Sequence, residues 1–217
     1  MTKTSTEPSL EARGLTKKIG PRMLWQNLDL SFKPGTLTAI TGTSGSGKTT
    51  LLNTLGLLDK PTSGQLRLEG QELTGLSQKN IRRLYRERIA FLFQNYALVE
   101  QWTVRANLNL ALRALKTPRK KRSSLIEQTL HAVGLANRED SPVYTLSGGE
   151  QQRVAIARVI AHQPKLIFAD EPTAALDQDN AQTVFDHLQA FADQGAIVVF
   201  TTHDPELGRK ADQTLCL

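Results

Sequence analysis

The spacing of apolar and polar positions divides this chain into two kinds of strand and one helical stretch. Leu28, Leu30 and Phe32 alternate with Asp29 and Ser31. That period of two marks an antiparallel strand with one buried face. The pattern predicts strands over 10–17 and 24–32, with turns at Gly20-Pro21 and Lys33-Pro34-Gly35. Later runs differ. Ile89-Ala90-Phe91-Leu92-Phe93, Leu166-Ile167-Phe168-Ala169 and Ala196-Ile197-Val198-Val199-Phe200 are apolar throughout. Such runs suit strands covered on both faces, as in a parallel sheet. Short strands are also expected at 37–41 and 66–70, and helices at 51–55, 77–88 and 180–192. Asp204-Pro205 reads as a helix start, with Asp as cap and Pro in the first position.

Between Gln94 and Pro164 the texture is helical, with helices expected over 104–115, 123–133 and 148–162 and no convincing strand. Strands alternating with helices predict an α/β fold with a mainly parallel sheet. An antiparallel β-subdomain precedes that core, and a helical subdomain is inserted into it. The expected division is one domain over 9–217, with its core in 1–93 and 164–217 and helices in 94–163. Residues 1–8 read as a flexible tail.

Gly42-Thr43-Ser44-Gly45-Ser46-Gly47-Lys48-Thr49-Thr50 lies between a strand-like and a helix-like run. It fits G-x-x-x-x-G-K-[ST], a P-loop. Its glycines let successive N–H groups turn inward around a phosphate, and the following helix directs its positive end there. Lys48 is placed to reach β- and γ-phosphates, and the Thr49 hydroxyl to ligate Mg2+. The core is therefore of the P-loop NTPase kind.

Asp170 and Glu171 end the apolar strand 166–169, where parallel sheets bind their ligands. Adjacent residues on extended chain face opposite ways, so the two acids can take different roles. Asp170 suits the Mg2+ shell, and Glu171 suits a general base acting on water. His203 follows the next apolar strand and can reach the same edge. Gln94 ends strand 89–93, where its amide can meet metal or water and its position makes it a hinge. In Leu146-Ser147-Gly148-Gly149-Glu150-Gln151, a serine and two glycines precede a helix. This is either a second anion site, in keeping with one subunit serving another's nucleotide, or a plain serine cap.

Together these motifs resemble the ATPase subunit of an ATP-binding cassette (ABC) transporter. The similarity runs from about Leu10 to Leu217. Gly42 to Thr49 match the family's Walker A, Gln94 its Q-loop and Leu146 to Gln151 its signature. Leu166 to Asp170 match Walker B, Glu171 the catalytic glutamate, Ala175-Leu176-Asp177 the D-loop and His203 the H-switch. The resemblance implies a head-to-tail dimer with two ATP and Mg2+. Each ATP would lie between one subunit's P-loop and the other's Ser147, Gly148 and Gly149, with Gln151 and Asp177 nearby. The family's usual aromatic residue for adenine is missing, and Ile19 stands in the matching region; Trp25 is the alternative, inside an expected strand.

The stretch Phe91 to Val99 is similar to small bacterial cassettes of the macrolide-export and lipoprotein-release group. Gln94 to Leu98 and Val143 to Glu150 look most like exporters of bacteriocins or antimicrobial peptides. The resemblance implies export or extraction of such compounds through a separate membrane subunit. Tyr96, Leu98, Val99 and Trp102 are expected to supply either its docking surface or a local core. The rival reading, a soluble ABC-type ATPase acting on nucleic acid or ribosomes, lacks the long coiled-coil insert or second cassette usual there, so no nucleic-acid partner is expected.

Bulk properties change this picture little. The net charge of +6 (27 Lys+Arg, 21 Asp+Glu) suits solubility as well as an anionic surface. The basic run Arg119-Lys120-Lys121-Arg122, expected in a loop after Pro118, could touch lipid headgroups or simply be solvated. Cys216 is the one cysteine, which fits a reducing cytoplasm. No apolar run nears the roughly 20 residues of a membrane helix, so a place at the inner face of the membrane would depend on a spanning partner.

Overall fold

A computed structural model describes residues 9–217; the expected tail at 1–8 lies outside the described residues. β1 (Leu10–Ile19) and β2 (Arg22–Phe32) form a long hairpin, running from Leu10 opposite Phe32 to Ile19 opposite Arg22. β4 (Ser63–Leu68) and β5 (Gln71–Glu72) complete an antiparallel sheet in the order β2-β1-β4-β5. The alternation read in β2 holds: Leu28 and Leu30 are half-buried and Phe32 buried, while Asp29 and Ser31 are exposed.

The second sheet is parallel throughout. It runs β6 (Ile89–Leu92), β7 (Leu166–Ala169), β8 (Ile197–Thr201), β3 (Thr36–Thr41) and β9 (Gln213–Cys216). Its central strands are apolar because both faces are covered. On one face Leu37, Ile167, Val198 and Phe200 join a core with α5 (Gly148–His162) and α6 (Gln178–Asp193). That core continues into α3 (Val104–Ala114) and α4 (Arg119–Ala132) through Leu108, Leu112, Ile126 and Leu130. On the other face Ile40, Phe168 and Val199 pack with Leu51, Leu52 and Leu55 of α1 (Lys48–Leu55) and with Leu10, Leu15 and Trp25 of the hairpin. Three helices are thus inserted between β6 and β7, and they share a core with the sheet. α2 (Gln78–Glu87) and α7 (Pro205–Lys210) complete the fold, with Asp204 capping α7 through the Glu206 N–H.

One expectation is corrected. Arg119-Lys120-Lys121-Arg122 is not a loop but the first turn of α4. Pro118 precedes it with φ −56°, a value already suited to entering a helix. Ile126, Thr129 and Leu130 bury the following turns. Burial of that face outweighs four cations placed against the helix dipole, each unfavourable by roughly 0.3–1 kcal/mol when exposed.

Phe168 is fully buried on β7, with its ring centroid 5.4 Å from that of Phe91. Phe168→Ala is expected to lower stability by about 3–5 kcal/mol in urea denaturation. A loss below about 1 kcal/mol would show that this layer does not carry the fold.

Candidate nucleotide site

Three neighbouring strands end at one edge. β3 leads into the P-loop, β7 into Asp170 and Glu171, and β8 into Thr202 and His203. Side chains distant in sequence meet there because parallel order aligns their carboxyl ends.

The P-loop turns into α1 at Gly47, whose φ of 100° is left-handed. A Cβ there would also stand 3.2 Å from the Trp25 indole, so the position admits only glycine comfortably. Lys48 curls over the loop and donates to the carbonyls of Gly42 (2.9 Å) and Thr43 (3.2 Å). Arg22 donates to the Gly45 carbonyl at 2.7 Å. A cleft of about 620 Å³ opens beside the loop, walled by Ile19, Leu24, Ser44, Gly45, Gly47, Lys48, Thr49, Thr50, Glu171 and His203.

Two features fit a phosphate. The N-terminus of α1 has no side-chain cap, so its first N–H groups await an acceptor. The Ser46 hydroxyl is buried in the loop without a hydrogen-bond partner. The donors also fit Mg2+. Thr49 Oγ1 donates to Asp170 Oδ1 at 2.9 Å, so a hydroxyl and a carboxylate stand together. Among the described residues no group of three or more His, Cys, Asp or Glu side chains is arranged for a metal. Mg2+ needs none where one or two protein oxygens, water and substrate phosphates complete its shell.

Asp170 Oδ1 also accepts from Thr201 Oγ1 (2.7 Å), and Thr201 Oγ1 accepts the Glu171 N–H (2.8 Å). Thr201 thus seats both acids, and Glu171 turns away with φ 45°. His203 Nδ1 lies 2.5 Å from Glu171 Oε2. An ionised carboxylate only accepts, so Nδ1 carries the proton and Nε2 remains free for a ligand. The side chain of His203 is 67% exposed against 20% for Glu171, so the histidine is the more solvent-accessible partner of the two.

The other expected residues do not line this cleft. Ser147 caps α5, its hydroxyl accepting the Glu150 N–H while Glu150 accepts the Ser147 N–H. That backbone contact above all holds the Glu150 carboxyl below its ordinary range; burial opposes it, and Arg138 lowers it further by a lesser amount. Gln151 donates to the Leu146 carbonyl. Asp177 caps α6 and accepts from the Asn180 amide with both oxygens, at 2.9 and 2.8 Å. Asn180 in turn accepts from Arg153 at 2.6 Å and lies so close to Gly149 that a Cβ there would stand 2.6 Å from its Oδ1. Gln94 is exposed in a turn after β6.

Ile19 is 54% exposed on the cleft wall, whereas Trp25 is buried behind Gly47. Of the aromatic and aliphatic cluster, Tyr96 and Leu98 pack on the core while Val99 (36%) and Trp102 (44%) remain exposed. Sequence reasoning missed Thr201, Arg22, Leu24 and Asn180. A threonine closing an otherwise apolar strand just before His203 was the available signal for Thr201.

A phosphate-binding loop, a threonine–aspartate pair and a glutamate–histidine pair on one sheet edge define a P-loop ATPase. The family model described as ABC transporter matches residues 25–174. The chain belongs to the ABC transporter family. It is 39% identical over 212 residues to the macrolide export ATP-binding/permease protein MacB of Marinobacter nauticus, covering 95% of this chain and 33% of that protein. It therefore spans about a third of the length of such relatives. It is also 39% identical over 206 residues to the lipoprotein-releasing system ATP-binding protein LolD of Aquifex aeolicus, covering 95% of this chain and 92% of that one. The ATP-binding cassette MJ0796, solved as a dimer in a post-hydrolysis state bound to ADP and Pi, superposes with a TM-score of 0.86 at 32% identity. That match covers 96% of this chain and 94% of the other.

Thr201→Val keeps the shape but leaves the Glu171 N–H without its acceptor and Asp170 Oδ1 with Thr49 as its remaining hydroxyl donor. It is expected to cost about 1–3 kcal/mol of stability and to slow ATP hydrolysis. Thermal unfolding alongside a phosphate-release assay checks this, and an unchanged rate would remove Thr201 from the site.

Proposed function

We propose that this chain is the ATP-binding and ATP-hydrolysing subunit of a transporter, dimerising around two ATP to drive a separate membrane subunit. One observation carries the reading: the P-loop, Glu171 and His203 share one cleft, with Asp170 hydrogen-bonded to its Thr49, while Ser147, Gly148 and Gly149 stand outside it. A single copy therefore holds two unlike anion-binding halves, and a head-to-tail pair joins them. The dimeric form of MJ0796 supports this arrangement.

In this reading Gly42 to Thr50 cradle the phosphates and Lys48 leaves its two carbonyls for the β/γ oxygens. Ile19 and Leu24 offer apolar contact to the base. Thr49 and Asp170 would hold Mg2+, with the Gln94 amide as a further oxygen ligand. The metal supplies charge neutralisation at the β- and γ-phosphates. Glu171 accepts the proton of the attacking water, and His203 orients Glu171. Ser147, Gly148 and Gly149, with Gln151 and the partner-facing Asp177, complete the site of the second subunit.

The membrane subunit is placed at the mouth between the inserted helices and the sheet. An apolar groove of about 480 Å³ lies there, lined by Leu58, Tyr85, Phe91, Phe93, Ala97 and Arg158 among others. The exposed Val99 and Trp102 stand on the same loop segment as Ala97. Likeness to MacB and LolD supports export or extraction of a peptide, lipoprotein or antimicrobial compound. Among the described residues no helix is long and apolar enough to cross a membrane.

Glu171→Gln is expected to bind Mg-ATP, slow turnover about 10²–10⁴-fold and accumulate as a dimer in size-exclusion chromatography with ATP. A monomeric, normally active variant would overturn the assignment. Lys48→Ala is expected to lose ATP affinity and hydrolysis together, read by nucleotide titration. Val99→Ala combined with Trp102→Ala should weaken co-purification with the membrane subunit while ATP still binds.

A further inference from the structure

Arg158 lies ten residues beyond Gly148 on α5, about 15 Å along the helix. Among the described residues its guanidinium pairs with no carboxylate; it donates to two successive carbonyls, Ala97 from Nη1 (2.8 Å) and Tyr96 from Nη2 (3.0 Å). Burial draws its pKa downward, yet a guanidinium keeps its proton. Tyr96 and Ala97 both have positive φ, 60° and 49°, in the left-handed region that side-chain-bearing residues disfavour. Two parallel N–H donors on a rigid plane suit two carbonyls presented side by side, as an ammonium on a flexible stem does not. The same loop touches α5 a second time, at its start, where the Tyr96 hydroxyl stands 3.2 Å from the Cβ position of Gly148. The turn that follows Gln94 is therefore hydrogen-bonded to the helix that presents Ser147, Gly148 and Gly149 through Arg158, and lies beside the start of that helix through Tyr96. Arg158 also lines the apolar groove beside this turn.

We propose that Arg158 is a positioning residue that fastens the Gln94 loop to the Ser147–Gly149 helix, so that hinge and anion-binding turn move as one body. The inference rests on the proposed dimer. Arg158 touches neither nucleotide nor metal, and acts through the backbone of Tyr96 and Ala97. A push on the groove reaches the loop carbonyls and the α5 helix through one side chain. Conversely, α5 cannot swing toward a second subunit without drawing the Gln94 turn with it. The two occupied carbonyls belong to the two residues that hold left-handed backbone in succession.

The test uses Arg158→Met and Arg158→Lys in the whole chain, each alone and with Glu171→Gln. Monomer affinity for a fluorescent ATP analogue reads the P-loop half. The kcat and KM for ATP, dimerisation of the Glu171→Gln forms, and hydrogen–deuterium exchange over 94–102 and 147–151 read the strap. Arg158→Met is expected to leave monomer affinity and KM unchanged and to lower kcat about 10–100-fold, the scale of a remote misplacement. Its Glu171→Gln form should dimerise poorly, and exchange should rise over both segments. Arg158→Lys should recover part of each effect, because an ammonium can still donate. Unchanged exchange over 94–102 in Arg158→Met would overturn the strap. A parallel fall in monomer affinity and melting temperature would overturn it too, by showing a merely structural arginine. If Glu171→Gln with Arg158 intact fails to dimerise, the dimer reading fails instead, while exchange still judges the strap.

Discussion

The hydrogen-bond chain from Thr49 through Asp170 to Thr201 ties together the ends of three adjacent parallel strands. The site depends on it. Thr49 lies in the first turn of α1 after β3, Asp170 follows β7 and Thr201 ends β8, and the order β7-β8-β3 brings them within reach. The same Thr201 oxygen accepts the Glu171 N–H, so the aspartate cannot shift without disturbing the backbone that carries the glutamate. Two acids side by side are thereby kept apart in role: one fixed beside a hydroxyl, the other turned toward His203.

The apolar core makes that fixity possible. Phe168 and Val199 face α1 and the hairpin, while Ile167 and Val198 face α5 and α6. A strand covered on both faces has no freedom to slide, because a one-residue slip would exchange its two sets of contacts. The inserted helices share one of these cores, so motion of α5 must be accommodated through packed contacts as well as through the Gln94 turn.

Much of this was legible in the residues. Period-two alternation located the hairpin, continuous apolar runs located β6, β7 and β8, and the P-loop spacing located Lys48 and Thr49. Ser147, Asp177 and Asp204 act as helix caps, as their chemistry allows. The basic run was misread because local charge suggests a loop, whereas the buried face of Ile126 and Leu130 decided for a helix. Thr201 and Asn180 escaped because their importance lies in partners 31 and 27 positions away, meeting only in the folded chain.

The sequence alone determined which groups could do chemistry, since a phosphate cradle, an acid pair and a glycine-flanked helix start are local patterns of residue type. It also determined the two sheet types, because burial on one face or two is written into the period of apolar positions. Tertiary structure decided which of these groups share a site. The strand order placed the P-loop, Glu171 and His203 around one cleft, with Asp170 bonded to Thr49 of that loop, and left Ser147, Gly148 and Gly149 outside it. It decided, too, that Ile19 rather than Trp25 faces that cleft, because the indole fills the space behind Gly47. Pairing and packing depend on residues far apart in the chain, and no local pattern encodes their distance.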